Sequence, residues 1–136
     1  MIEIIYGSKG TGKTKKIIDM ANQSLEKSDG FIVFLADTNR YVREIKFAIR
    51  FLNSKEVQIK GEESLLGFLK GLISANYDIK EVFIDGAARM LGEEIPEMGS
   101  FMQKLDEIGK KYDVKFVLTI SCDKEDLPDF FDKYID

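Results

Sequence analysis

Short apolar runs alternate with longer helical patterns along the chain, and this alternation constrains the fold more than any other feature. Five runs indicate strands, and they are Ile2 to Gly7, Phe31 to Asp37, Val57 to Lys60, Glu81 to Asp85 and Lys115 to Ser121. The near-continuous apolar run from Phe31 is typical of a strand covered on both faces, whereas the short run from Val57 predicts an edge strand. The alternation predicts an α/β fold, a three-layer α/β/α sandwich with a mainly parallel sheet of about five strands.

Helical periodicity fills the segments between these runs. We expect the first helix to end near Lys27 and the second to begin after Thr38, an N-cap residue, and to reach Leu52. The third covers "ESLLGFLKGLISAN", in which each internal glycine weakens the helix by about 1 kcal/mol relative to alanine. A fourth helix is predicted from Glu97 to Tyr112, and a last short one over "LPDFFDKYI".

Length and composition limit the class of protein. The chain has 136 residues, of which 44% are hydrophobic and 32% charged, and this predicts one globular domain over residues 1–136. A net charge of −4 argues against a nucleic-acid binder that works by overall charge. With no histidine and a single cysteine, Cys122, a zinc site of the usual ligand type and a histidine base are excluded.

Three features of the sequence bear on the location of the protein in the cell. The chain begins with the strand-like "MIEIIYG", so we expect no signal peptide before the fold. No apolar run approaches the ~20 residues that a membrane span requires. A lone cysteine suits a reducing compartment, and the expected location is the cytoplasm.

The most specific motif lies between the first predicted strand and the first predicted helix. Eight residues match G-x-x-x-x-G-K-[ST] in full: Gly7, Ser8, Lys9, Gly10, Thr11, Gly12, Lys13 and Thr14. We call this segment the glycine-rich loop. Its glycines allow a tight turn with inward N–H groups, and the following helix adds the positive end of its dipole, so the loop can hold phosphates. In such a loop Lys13 would neutralise the β- and γ-phosphates and the Thr14 hydroxyl would ligate Mg²⁺.

In this setting the loop resembles the Walker A motif of the P-loop nucleoside-triphosphatases. The strand "VFIDG" is similar to their Walker B element, which implies that Asp85 holds Mg²⁺ through water and that ATP or another nucleoside triphosphate is the ligand. On this resemblance Lys13 and Asp85 are the catalytic residues, and Thr14 and Asp85 the metal-binding ones.

The order of the strands resembles the RecA-like and AAA-like branch of that superfamily. In that branch a later strand, here "KFVLTIS", lies between the two Walker strands and carries a γ-phosphate sensor. Thr119 and Ser121 are the candidate sensors, although side chains that merely end a strand are an equal alternative. Ligands of parallel sheets bind beyond the carboxyl ends of the strands, where Asp37 and Asp85 are also expected.

The chain departs from that family directly after Asp85. Catalytic members usually carry a glutamate there, whereas this chain has Gly86. A missing general base removes about 10²–10⁴-fold in rate, so we expect slow hydrolysis, stimulated by assembly or by a partner. The alternative is a nucleotide-dependent adaptor that binds a protein or nucleic acid without turnover. Glu93 and Glu94 can replace the base only if they fold back, and a solvated loop is the simpler interpretation.

Two further comparisons are less favourable. The segment "DTNRY" resembles the Asp-x-Arg-Tyr segment of thymidine kinases with one residue too many, but the chain lacks their zinc ligands and has no segment long enough for a lid. A small-molecule kinase is therefore the third hypothesis. Lys9 lies one place beyond the extra lysine of P-loop proteins that act as dimers, so it is interpreted as an exposed loop cation.

Two charged surfaces suggest partners. The predicted second helix carries a basic group of residues, namely Arg40, Arg43, Lys46 and Arg50. A solvated helix face is the first interpretation, and contact with nucleic acid or a neighbouring copy is the alternative. Phe47 and Phe51, one helical turn apart, suggest either packing or a protein-binding patch. The acidic C-terminal segment can pair with the basic helix in a homo-oligomer, or cover the edge of the first strand.

Overall fold

The computed structural model describes residues 1–135 and places five strands in one sheet. The strands are β1 Ile2–Gly7, β2 Phe31–Ala36, β3 Arg50–Asn53, β4 Ile79–Asp85 and β5 Lys115–Ser121. Their order is β1-β5-β4-β2-β3, and each neighbouring pair is parallel. The predicted α/β class is therefore confirmed, with an all-parallel sheet of five strands.

Helices cover both faces of this sheet. They are α1 Lys13–Lys27, α2 Glu62–Ala75, α3 Ala87–Leu91 and α4 Gly99–Tyr112. Helix α1 packs its apolar stripe on one face, where it buries Ile17, Ile18 and Ala21. Helices α2, α3 and α4 pack on the opposite face, in the larger of the two apolar clusters. The apolar spacings of α1, α2 and α4 thus indicated their buried sides correctly.

The strand order brings the ends of four sequence-distant segments to one rim. Strand β5 lies between β1 and β4, because Leu118 pairs in register with both Ile4 and Ile84. This confirms the expected position of the later strand. At the carboxyl ends, Gly7 lies opposite Ser121, and Ala36 lies opposite Asp85. The glycine-rich loop and Asp85 therefore share the same edge of the sheet.

The predicted second helix is wrong. Residues 42–44 form one 3-10 turn, and the chain then enters strand β3 alongside β2, with Val33 opposite Arg50. Ile45 and Ile49 are buried in the α1-side cluster, so the spacing of apolar residues that suggested a helix serves an irregular segment instead. Pairing with β2 overrides the local periodicity.

The aromatic pair of this segment is separated by the change from helix to strand. Phe51 belongs to β3 and stacks on Phe34 of β2, with 6.2 Å between ring centroids. Phe47 precedes the strand and is fully exposed. The four basic residues also lie on turn, loop and strand rather than on one helix stripe, so the predicted basic helix face does not exist.

The predicted strand from Val57 to Lys60 is also wrong. This segment is a turn in which Gln58 has a φ of 59°, and the Ile59 N–H donates to the Ser54 carbonyl at 2.9 Å. The edge of the sheet is already occupied by β3, so Val57 stays exposed. Thr38 does not cap a helix either, since its hydroxyl accepts a hydrogen bond from the Arg40 N–H at 3.1 Å.

The C-terminal segment covers the other edge of the sheet, at β1. This confirms the expectation that it covers the edge of the first strand. Cys122 N–H donates to the Gly7 carbonyl at 2.9 Å, and the turns that follow pack beside β1. They bury Phe131 and Tyr134, and 3-10 turns span Lys124–Asp126 and Asp129–Tyr134. Because this segment packs on its own chain and the basic helix does not form, head-to-tail pairing between the two stays a prediction.

The fourth helix was predicted with nearly its observed length. It begins at Gly99, two residues after the expected start, because a 3-10 turn at Ile95–Glu97 follows the preceding loop. Within residues 1–135, no helix combines the length and apolar character that crossing a bilayer requires.

Candidate functional site

At its glycine positions, the glycine-rich loop has a backbone conformation that only glycine adopts without strain. Gly10 and Gly12 have φ values of 85° and 83°, in the left-handed region that side chains disfavour. At Gly7 a Cβ atom would lie 2.6 Å from Thr11 Oγ1, which is too close. The spacing of glycines in the motif therefore matches the shape of the loop.

The loop concentrates hydrogen-bond donors at the start of a long helix. Within residues 1–135, no backbone carbonyl accepts a hydrogen bond from the N–H groups of residues 9 to 12. Helix α1 begins at Lys13, has 15 residues and carries no acidic residue in its first turn. Its first N–H groups have no helical partner, and its dipole places partial positive charge there. The segment therefore favours an anion.

Lys13 lies across the loop rather than in open solvent. Its Nζ donates a hydrogen bond to the Ser8 carbonyl at 2.8 Å, and Thr11 Oγ1 donates to the same oxygen at 2.7 Å. Partial burial lowers the pKa of Lys13, the negative charge of Asp85 opposes that shift, and the positive charge of Arg89 adds to it. The charges of Asp85 and Arg89 thus both act on the Lys13 ammonium group.

Asp85 is the buried centre of the site. It is 6% exposed, and both of its carboxylate oxygens accept hydrogen bonds from hydroxyl groups. Thr14 Oγ1 donates to Oδ2 at 3.0 Å, and Thr119 Oγ1 donates to Oδ1 at 2.7 Å. The Gly86 N–H donates to Thr119 Oγ1 at 3.0 Å. These bonds join the glycine-rich loop, β4 and β5 into one polar cluster.

The donor set of this cluster fits Mg²⁺ that shares a phosphate. Thr14 and Asp85 offer adjacent hard oxygen atoms, the ligand type that Mg²⁺ prefers. Within residues 1–135, no group of three or more carboxylate, thiol or imidazole residues could form an all-protein metal cage. A site of one carboxylate and one hydroxyl leaves most coordination positions to water and phosphate oxygen, which is usual for Mg²⁺.

The two candidate sensors occupy different positions. Thr119 is 4% exposed and touches Asp85 directly, so it positions that carboxylate. Ser121 is exposed at the end of β5, beside Gly7. Lys9 is exposed in the loop, as expected.

Glu93 does not fold back to Asp85. Burial raises the pKa of Glu93, and the negative charges of Glu62 and Glu97 raise it further. Its Oε1 is buried and has no hydrogen-bond partner within residues 1–135. Glu62 in turn accepts a hydrogen bond from Lys104 at 2.9 Å, on the face of the sheet covered by α2 and α4. Glu93 therefore belongs to that helical face, and Glu94 beside it is exposed.

Arg89 is a member of the rim that sequence reasoning missed. It lies on α3 and forms a two-point ion pair with Asp37, with Nε to Oδ2 at 2.7 Å and Nη2 to Oδ1 at 3.1 Å. The hydrogen bond from Arg89 holds the pKa of the Asp37 carboxyl below its usual range. The signal in the sequence was weak, namely an unpaired acid at the end of β2 and an arginine four residues after Asp85.

A large cleft lies elsewhere, beside the open edge of β3. It has a volume of about 840 Å³ and is lined mainly by apolar side chains, among them Phe47 and Phe51. It is formed where β2, β3 and β4 begin, whereas the glycine-rich loop lies where strands end. Its charged lining residues are Lys46 and Arg50, and Lys46 pairs with Glu26 at 3.0 Å. A nucleotide site at the loop would leave this cleft free.

Comparisons with known proteins add no relative. No protein-family model matches the chain, and no curated protein matches it. The geometry of the rim is therefore the basis for assigning a function.

Proposed function

We propose that this chain is a P-loop protein that binds ATP, or another nucleoside triphosphate, together with Mg²⁺. The observation that carries this proposal is the hydrogen bond of 3.0 Å between Thr14 and Asp85. It joins the end of the glycine-rich loop to a buried carboxylate on a strand that is not adjacent to β1. That pairing of a Lys-Thr loop with a distant acidic strand end supports a Walker A and Walker B assignment.

Each group of the rim has a role in this function. The loop N–H groups and Lys13 would hold the phosphates, because they present donors and positive charge at one helix N-terminus. Thr14 and Asp85 would hold Mg²⁺, which when bound neutralises charge on the β- and γ-phosphates. Thr119 keeps the Asp85 carboxylate in place, since it occupies Oδ1 at 2.7 Å.

Slow hydrolysis is the expected reaction, because the residue directly after Asp85 carries no carboxylate. The next residue is Gly86, and both oxygens of Asp85 already accept hydrogen bonds. Glu93 lies with Glu62 and Glu97 instead. Without a placed general base, a rate about 10²–10⁴-fold below that of an equipped site is expected.

Phosphate release from ATP tests this expectation directly. With Mg²⁺ present, we expect turnover on the order of 10⁻³–10⁻¹ s⁻¹, against a typical ~10 s⁻¹ for enzymes. The assay is repeated with DNA, RNA and cell lysate to detect stimulation, and Lys13→Ala protein purified identically reports contaminating activity. Turnover at ordinary enzyme rates without any addition would show that another base exists and contradict the expectation of slow hydrolysis.

A nucleotide-dependent adaptor is the second candidate, favoured by two features of the chain. Gly86 removes the expected base, and the apolar cleft at the β3 edge offers a surface away from the phosphates. Nucleotide binding with no phosphate release under any condition would select the adaptor over the hydrolase. A small-molecule kinase with a thymidine-kinase-like core ranks third, and its "DTNRY" segment supplies Asp37 to the pair with Arg89. Cytoplasmic location and homo-oligomer formation stay predictions.

A further inference from the structure

Arg89 occupies the space in which the side chain of a residue at position 86 would lie. A Cβ atom built on Gly86 would meet the guanidinium, with Arg89 Cζ 2.6 Å away. Gly86 also has a φ of 93°, in the left-handed region that side chains disfavour. The absence of a glutamate at position 86 is therefore linked to Arg89, because position 86 cannot carry a side chain while the guanidinium occupies that space.

The residue that follows β2 fixes the guanidinium at the rim. Asp37 follows β2, and Asp85 ends β4, and these neighbouring strands pair in register up to Ala36 and Asp85. Asp37 is only 15% exposed and binds the guanidinium at two points, whereas the Arg89 side chain remains 56% exposed. A two-point ion pair with a mostly buried carboxylate sets the orientation of the planar guanidinium.

Part of the guanidinium remains free to bind a ligand. The ion pair uses Nε and Nη2, and within residues 1–135 Nη1 donates to no acceptor. A guanidinium has five N–H donors and binds phosphate at two points. Asp37 therefore holds Arg89 by one edge and leaves another available.

Arg89 belongs to the same electrostatic group as Lys13 and Asp85. The positive charge of Arg89 adds to the burial that lowers the pKa of Lys13, and the negative charge of Asp85 adds to the Asp37 hydrogen bond that raises the pKa of Arg89. Lys13 and Arg89, cations from two different elements, thus both interact electrostatically with the carboxylate that is expected to hold Mg²⁺. A ligand with a highly charged terminal group suits this arrangement.

We propose that Arg89 binds the terminal phosphate of the nucleotide and makes the site selective for triphosphates over diphosphates. This role rests on the nucleotide binding proposed above. An arginine is not a general base, so this side chain would bind the γ-phosphate without activating water against it. Asp37 acts as a positioning residue, because it orients the guanidinium.

Nucleotide binding by Arg89→Ala tests this role. Affinities for ATP, for its β,γ-imido analogue and for ADP are measured by calorimetry with Mg²⁺. We expect Arg89→Ala to weaken both triphosphates about tenfold or more, the loss expected for a charge-assisted hydrogen bond, and ADP less than about twofold. Asp37→Asn should change the triphosphates in the same direction and ADP little. Arg43→Ala removes an exposed arginine from the turn before β3 and should change neither.

The outcomes separate this role from the nucleotide binding itself. If Arg89→Ala weakens ATP and ADP equally, or changes neither, Arg89 does not bind the terminal phosphate, although the nucleotide site stands. If the wild-type protein binds no nucleotide, both fail. Arg89→Lys keeps the charge without the planar fork and gives a second test should the alanine variant melt early. Arg89→Lys should bind triphosphates more weakly than the wild type and ADP with unchanged affinity. If it binds triphosphates with wild-type affinity, the role is overturned.

Discussion

Lys13→Ala should abolish detectable nucleotide binding and leave the fold intact. Lys13 is the side chain that lies over the glycine-rich loop, with Nζ 2.8 Å from the Ser8 carbonyl. Removing it takes away the charge-assisted bonds to phosphate, each worth about 1.5–3 kcal/mol, so a loss of at least about 100-fold is expected. The loop is exposed and the lysine fills no part of either apolar cluster, so the thermal midpoint should change little.

Calorimetric titration with ATP and Mg²⁺ measures this effect. Lys27→Ala is the matched control, because Lys27 lies at the opposite end of the same helix, away from the loop. It should bind as the wild type does. Equal affinities of Lys13→Ala and wild-type protein would show that the nucleotide, if it binds, does not use the glycine-rich loop.

Asp85→Asn should remove the dependence of binding on Mg²⁺. The amide keeps the size of the carboxylate but loses the negative charge that attracts the cation. With ATP fixed and Mg²⁺ varied, wild-type affinity should rise with Mg²⁺, whereas the variant should gain about tenfold less or nothing. Asp19→Asn, an exposed acid on α1, should follow the wild-type curve.

The same substitution should lower the stability of the fold. Asp85 is buried and accepts hydrogen bonds from two hydroxyls, and an amide NH₂ group at one of those positions would face a donor. An unsatisfied buried polar group costs about 1–3 kcal/mol, so the thermal midpoint should fall. Metal binding is therefore compared at a temperature where both proteins are folded. A variant with wild-type Mg²⁺ dependence would remove Asp85 from the metal site.

Most of the fold can be predicted from local patterns in the sequence. The remainder depends on pairing between segments that are distant in the sequence. The apolar runs of β1, β2, β4 and β5 and the stripes of α1 and α4 are buried as their periodicity indicates. The segment before β3 carries apolar residues at helical spacings too. Its strand forms because Arg50 to Asn53 pair with Val33 to Ala36, and a local pattern does not report such a partner.

The same division applies to the candidate site. The glycine-rich loop and Asp85 could be placed from the sequence, because a strand end predicts where each residue lies. Arg89 could not, because its position depends on the five-residue helix α3 and on Asp37, 52 residues earlier. The sequence shows that Gly86 stands where a glutamate is usual in the P-loop family. It does not show that the Arg89 guanidinium lies against Gly86.

The most direct test of nucleotide binding is a two-dimensional ¹H–¹⁵N NMR titration of the wild-type protein with Mg²⁺ and ATP. We predict the largest amide shifts in the glycine-rich loop and the first turn of α1, with smaller ones at Gly86 and Thr119. Thr119 donates a hydrogen bond to Asp85, and the Gly86 N–H donates to Thr119. Shifts confined to the cleft around Phe47 and Phe51, or no shifts at millimolar ATP, would contradict a nucleotide site at this loop.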